Sequence, residues 1–200
     1  KIHAVTSQWN QTVYDSYVNM LRATTEAMSA SLAGVDSLEV LPFDYQYNEP
    51  GEFSNRIARN VQIILKEESH FNKVEDPAAG SYYIETLTSS IANEAWKLFI
   101  KVEEMGGYTE AFTKGFVQAE VKATANKKDM NIATRRETLL GTNQYPNFTE
   151  KVDKAVTLDV VTRGSESEKS PVMIAEPIEK YRGAQAFEAL RFATEKSGKQ

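Results

Sequence analysis

Cysteine is absent from the 200 residues. That excludes disulfides, thiolate metal sites and a cysteine nucleophile. Histidine is scarce: His3 and His70 are the two present, too few for a metal site built on imidazoles alone. No apolar run approaches the ~18 residues of a membrane span. With a formal net charge of −5, the chain has no basic field to draw it to nucleic acid or anionic lipid. It opens on neither Met nor a signal-like leader, so secretion finds no support and the expected location is the cytoplasm. It opens instead on an apolar, strand-like segment, which predicts a piece cut from a longer protein. What remains is a globular mix, 41% hydrophobic and 26% charged, which rules out a disordered chain or a fibre.

Ile2 to Thr6 is short and β-branched, and reads as a strand. Val13, Tyr17, Leu21, Met28 and Leu32 then recur at or near helical spacing, with Thr24 the one polar break. Asn10 or Thr12 is the candidate cap and Gly34 the stop. Ser37-Leu38-Glu39-Val40-Leu41 is again strand-like, ended by Pro42. Strand, helix, strand implies a parallel pair joined by a crossover. After a loop over 44–51, Ser54 is a candidate cap for a helix whose stripe is Phe53, Ile57, Val61, Ile64 and Leu65. A turn-rich stretch, Asp76-Pro77-Ala78-Ala79-Gly80-Ser81, precedes a strong helix with Ile91, Ala95, Leu98, Phe99 and Val102 on one side, closed by Gly106-Gly107. Phe112, Phe116, Ala119 and Ala123 predict one more helix towards Met130. Thr138 to Asn143 reads as a third short strand.

From about Phe148 the character changes. Residues 163–171 read as a linker, Val172 to Pro177 as a brief extended piece, and Ala184 to Glu195 as one short helix. Alternating strand and helix over 1–146 is an α/β pattern. Three strands do not close a parallel barrel, which takes about eight βα units and roughly 250 residues. Either the sheet is small and open, or the missing strands belong to an absent N-terminal part. Exposed strand edges in a cut barrel predict self-association or local rearrangement.

Few residues suggest chemistry. His3, on an alternating strand, is either a contact at a barrel mouth or a half-exposed imidazole with no role. Glu67 and His70, three apart, would share a face on a continuing helix, but the H-E-x-x-H order of a helical zinc site is missing, and a solvated helix end is the simpler reading. The turn over 76–81 has its own mechanism: Asp bonds the backbone, Pro presets φ and Gly accepts positive φ. A phosphate cradle there lacks a Gly-rich fingerprint. Nine Tyr, nine Phe and two Trp are not interleaved with a basic stripe, so they belong to core and interface rather than a stacking platform. Lys127-Lys128 and Arg135-Arg136 read as solvated faces. No nucleophile–base–orienter set is visible.

Several stretches resemble the methylmalonyl-CoA mutase family of cobalamin-dependent carbon-skeleton isomerases. They are Arg56-Ile57-Ala58-Arg59-Asn60-Val61-Gln62 with Glu67-Glu68-Ser69, and Asp76 through Glu85. Thr6-Ser7-x-Trp9, Asp15-Ser16-Tyr17-Val18-Asn19 and Glu103-Glu104-Met105-Gly106-Gly107 also fit. The resemblance implies a partial (β/α)8 TIM-type barrel of about three βα units. Residues 1–147 would be the C-terminal half of the substrate-binding barrel. Residues 148–200 would be a linker and short helix leading to a cobalamin-binding-like domain that is not in this sequence.

The departures are informative. Catalytic chains of the family read Thr-Gln-Ser-Leu-His-Thr-Asn across the second strand. Here Asp36 stands for the Gln, Glu39 for the His and Leu41 for the Asn. An ionised carboxylate cannot donate a hydrogen bond and Leu cannot bond at all. Asp36 and Glu39 would also repel a CoA thioester bearing a second carboxylate. The basic contact to CoA survives only loosely, as Lys1-Ile2-His3. Lys1, His3, Asp36 and Glu39 are therefore the degenerate substrate-binding candidates, with no catalytic residue and no metal ligand. The cobalt-ligating Asp-x-His-x-x-Gly motif does not occur.

These substitutions suit the small, non-catalytic subunit of the family's heterodimers, and Tyr181 to Arg191 resembles a segment of such subunits. The implied partners are a catalytic large subunit, the acyl-CoA substrate of the complex, and a second copy of the fragment. Adenosylcobalamin belongs to the holoenzyme that interconverts methylmalonyl-CoA and succinyl-CoA, and none is expected on this fragment. The competing readings are a working barrel that binds acyl-CoA and a generic α/β binding module.

Overall fold

The computed structural model describes residues 1–162, 175–178 and 180–198. Its described part opens with β1 (His3–Val5), α1 (Val18–Leu32) and β2 (Ser37–Glu39). The two strands pair in parallel, with His3 opposite Ser37, Ala4 opposite Leu38 and Val5 opposite Glu39. A parallel pair requires a crossover, and α1 supplies it. Thr6 N–H donates to the Glu39 carbonyl at 3.1 Å, carrying the pairing one step past β1. Side chains alternate across a strand. Ala4 and Leu38 turn to the covered face, while His3, Val5, Ser37 and Glu39 occupy the exposed one.

Next comes α2 (Glu52–Glu67). The first core joins Ala23 and Ala27 of α1, Val40, and Ala58, Val61 and Leu65 of α2, with Leu38 and Phe71 against it. The inward face of α1 therefore differs from its largest apolar residues. Ala27 is fully buried, whereas Tyr17, Leu21, Met28 and Leu32, expected on the core stripe, are exposed. Alanines at 23, 27 and 58 let the two helices approach closely, which larger side chains would prevent. Neither predicted cap at α1 is used: Tyr17 precedes the helix without a side-chain cap. Ser54 is likewise inside α2 rather than before it. Its hydroxyl donates back to the Gly51 carbonyl at 3.3 Å.

The remaining helices are α3 (Tyr82–Glu104), α4 (Tyr108–Thr113), α5 (Phe116–Ala133), α6 (Leu158–Thr162) and α7 (Gln185–Lys196). The helix expected through Phe112 and Phe116 is split in two, because Gly115 takes φ +80°, a conformation that interrupts a right-handed helix. The third strand expected over 138–143 does not form. Leu140 and Gln144 make one isolated bridge. Gly141 has φ +78°, and Asn143 Oδ1 accepts the Leu139 N–H at 2.8 Å where a strand neighbour would have done so. The described sheet thus has two strands, not the three expected for a partial barrel. Residues 163–171, read as a linker, lie outside the described residues, as do 172–174 of the 172–177 segment.

Two compact units result. Residues 1–76, 131–162 and 180–198 form one, and 77–130 with 175–178 the other. The first holds three apolar clusters. Besides the one above, Val13, Tyr14, Val156, Val161 and Phe192 form a second, and Ile132, Leu139 and Ala184, flanked by Trp9 and Phe187, a third. The second unit is built around α3, which buries no residue along its length. Ile91 and Trp96 are 61% and 62% exposed, and Trp96 stacks on Phe99 with ring centroids 5.1 Å apart. Among the described residues, no helix is long and apolar enough to cross a membrane.

Candidate functional site

Ligands of α/β folds gather beyond the carboxyl ends of the strands. Here those ends are β1 with the loop 6–17 and β2 with the loop 40–51. A buried polar network ties the two loops together. Leu41 N–H donates to Thr6 Oγ1 at 2.9 Å. Asn19, fully buried on the first turn of α1, accepts the Thr12 N–H at 3.0 Å and donates to the Thr12 and Phe43 carbonyls at 2.8 and 2.9 Å. Arg22 donates to Thr12 Oγ1, Asn19 Oδ1 and the Leu140 carbonyl. Burial pushes its guanidinium below the ordinary arginine value, against the pull of Asp15, Glu188 and Glu26. Glu26 holds the loop from beneath, accepting from Ser7 N–H at 2.7 Å and Asn10 Nδ2 at 2.6 Å.

The open sheet face carries the polar side chains predicted for a site. His3 Nδ1 lies 2.7 Å from Ser37 Oγ, and its Nε2 lies 3.9 Å from Glu39 Oε2. Register explains the grouping: residues 3, 37 and 39 share one face of the ladder. His3 and Glu39 are thus brought together. Asp36 is not part of the group, because its Oδ2 accepts the Ile2 N–H at 2.7 Å at the strand edge. Lys1 is exposed at the start of the chain. Leu41 is buried and offers no hydrogen bond. The face presents an imidazole, a hydroxyl and a carboxylate; it can pass a proton or receive a donor, but it holds no fixed cation for a ligand carboxylate. Ser37 was not singled out from the sequence, although its parity with Glu39 was the available signal.

Glu67 and His70 do not share a helix face. The helix ends at Glu67, and His70 takes φ +56°. Among the described residues, no three His, Asp or Glu side chains are placed to hold a metal ion. His3 is engaged by Ser37 and Glu39, His70 is exposed on a turn, and no Asp-x-His-x-x-Gly motif occurs. The residues present do not fit a cobalt-ligating site for adenosylcobalamin.

Above the loop 9–15 lies the C-terminal segment. Arg182 and Glu188 form an ion pair with side chains only 6% and 3% exposed. Glu188 Oε1 also accepts the Val13 N–H at 2.8 Å, and Arg182 reaches the Gln11 carbonyl. Tyr14 donates to Glu195 Oε2 at 2.9 Å, while the Arg191 guanidinium covers the Tyr14 ring at 4.1 Å. Burial, reinforced by Glu195, raises the Tyr14 hydroxyl well above its ordinary value. The segment Tyr181 to Arg191 draws notice in the sequence only as a resemblance; its contacts to Gln11, Val13 and Tyr14 cross more than 170 positions and leave no local pattern.

The first compact unit therefore opens on an α/β motif of the strand–helix–strand kind, with a polar face at its parallel strands. Within that class, the family model described as methylmalonyl-CoA mutase matches residues 1–193. A methylmalonyl-CoA mutase small subunit of Porphyromonas gingivalis is 56% identical over 197 residues, covering 98% of this chain and 31% of the relative. One of Streptomyces virginiae is 38% identical over 94% of this chain and 29% of the relative. The mitochondrial methylmalonyl-CoA mutase of Bos taurus is 38% identical over 80% of this chain and 21% of its own length. The chain belongs to the methylmalonyl-CoA mutase family. It spans about a third or less of the length of the relatives it matches.

Proposed function

We propose that this chain is a segment of a methylmalonyl-CoA mutase small subunit, a non-catalytic partner of a catalytic large subunit in a cytoplasmic heterodimer. Residues 1–147 are the second half of a substrate-type (β/α)8 barrel, and 148–200 lead to a cobalamin-binding-like domain. Interconversion of methylmalonyl-CoA and succinyl-CoA, with adenosylcobalamin, is the work of the assembled enzyme. This chain contributes fold and interface. Two small-subunit relatives, one matching nearly the whole chain, support the assignment.

One observation carries the non-catalytic reading: the Glu39 carboxylate stands on the open sheet face beside His3, where a CoA thioester with a second carboxylate would meet repulsion rather than a donor. Buried Leu41 adds no replacement. The complete polypeptide, given coenzyme and methylmalonyl-CoA in the absence of a large subunit, should neither turn over substrate nor bind it at micromolar concentration by calorimetry. Turnover overturns the reading. Failure to co-purify with a large subunit overturns the assembly role.

A second reading has one observation in its favour. His3 and Ser37 still place an imidazole and a hydroxyl on the open face, as a barrel that binds acyl-CoA would need. Micromolar calorimetric binding of methylmalonyl-CoA would establish it.

A further inference from the structure

A cavity of about 460 Å³ opens between the end of α5, the turn 142–148 and Phe187 of α7. It shares no residue with the open face of the sheet. Its volume lies in the range of small-molecule sites, roughly 300–1,000 Å³.

Three aromatic rings, Tyr145, Phe148 and Phe187, line it. Phe148 is 87% exposed and Tyr145 77%. Two large rings held in water at one rim mark a surface that gains from being covered. Arg135 supplies a single positive charge at the same cavity. Its guanidinium has no ion pair or hydrogen bond among the described residues. Gln144 and Thr142 add an amide and a hydroxyl.

The backbone that carries these side chains is braced. Asn143 is buried, and its Nδ2 donates to the Ile132 and Glu137 carbonyls, each at 2.8 Å, while its Oδ1 accepts the Leu139 N–H at 2.8 Å. That single side chain braces the end of α5 against the turn. Gly141 N–H closes the turn on the Gln144 carbonyl at 2.8 Å. Arg135 and Tyr145 have φ +58° and +53°, a region costly to residues other than Gly and kept where surrounding structure imposes it. Both positions line the same cavity.

We propose that this cavity binds a small planar aromatic anion. The ring stacks between Tyr145, Phe148 and Phe187, and the anionic group meets Arg135. A cation beside aromatic walls selects both properties at once, because neither the charge nor the ring alone satisfies both surfaces.

The test uses three matched probes on the protein: 1-naphthyl phosphate, 1-naphthol and inorganic phosphate. Backbone amide shifts are followed by NMR. Naphthyl phosphate should bind saturably, in about the sub-millimolar range, with shifts confined to residues 133–148 and the start of α7. Arg135→Asn, which suits the left-handed backbone there, and Phe148→Ala should each weaken binding about tenfold or more. Unchanged amide shifts elsewhere verify that both variants remain folded, and Gln144→Ala serves as a further probe of the same wall. Phosphate binding as tightly as the naphthyl ester overturns the proposal, as does naphthol doing so. Shifts that persist unchanged in all three variants overturn it, and so does the absence of shifts up to about 5 mM probe. No CoA ester or partner subunit enters this experiment, so its outcome is independent of the assembly role.

Discussion

The Trp9 indole packs against Gly183, whose N–H donates to the Trp9 carbonyl at 2.8 Å. A Cβ at 183 would sit 2.7 Å from Trp9 Cζ2 and 3.0 Å from Cε2 and Cη2, closer than real contacts allow. Glycine is required here for space. The contact joins the loop that follows β1 to the segment that begins α7.

Gly183→Ala should therefore destabilise the chain by about 1–3 kcal/mol, the range for overpacking. Urea unfolding of the variant measures it. Trp9→Leu in the same background should recover part of the loss, because it removes the ring that the new methyl meets. If Gly183→Ala unfolds at the wild-type urea midpoint, the close approach does not hold in solution.

Arg182 and Glu188 make a second join between the same segments. Removing one partner of a buried ion pair leaves the other charge uncompensated, at a cost of about 3–5 kcal/mol. Glu188→Ala should show a loss of that size in denaturant unfolding, since it also takes the acceptor from Val13 N–H. A double variant, Arg182→Met with Glu188→Leu, should be far less destabilised than Glu188→Ala alone. Equal losses in the two would mean that the charges are not paired.

Much of this arrangement was legible from local pattern, and some was not. β1, α1, β2 and α7 fall close to where β-branched runs and helical spacing place them, because each depends on neighbours in the chain. The face of α1 that turns inward does not follow from hydrophobicity alone: Leu21 and Met28 outrank Ala23 and Ala27, yet the alanines pack with Ala58 of α2. The supposed strand at 138–143 has the composition of one, but Gly141 turns the chain and the Asn143 side chain substitutes for a partner strand. On the open sheet face, His3 and Glu39, both candidates from the sequence, are adjacent. Asp36, also a candidate, bonds backbone instead. The Arg182–Glu188 pair gave no signal, since an ordinary i, i+6 pair of charges reads as surface until Gln11 and Val13 are folded against it.

Glu150 offers a test by pH. Burial holds its carboxyl above the ordinary glutamate value of 4.5, opposed by the hydrogen bond from Asp15 N–H and by Arg191. A carboxyl raised by folding binds a proton more tightly in the native chain than in the unfolded one. Stability therefore falls as pH rises through the window just above 4.5. Glu150→Gln keeps an oxygen that can accept from Asp15 and removes the titration. Thermal unfolding across that window should show a shallower decline in the variant than in the wild type. Parallel profiles would mean that Glu150 titrates normally.

The exposed apolar surface of α3 has the most direct consequence. A helix with a broad apolar face belongs against a core or an interface. Ile84, Leu87, Ile91 and Leu98 recur at helical spacing, Trp96 and Phe99 extend the surface round the helix, and every one of them is more than 40% exposed. In water that surface favours association by about 25 cal/mol for each Å² it hides. The isolated 200-residue chain should show concentration-dependent self-association in sedimentation velocity, and Ile91→Glu with Trp96→Glu should shift it towards monomer. In the complete polypeptide the same two substitutions should lower stability instead, because there the rest of the subunit is expected to cover the helix. A wild-type chain that sediments as a monomer at all accessible concentrations would remove α3 from the self-association surface, and a complete polypeptide indifferent to both substitutions would mean that the helix is not covered there either.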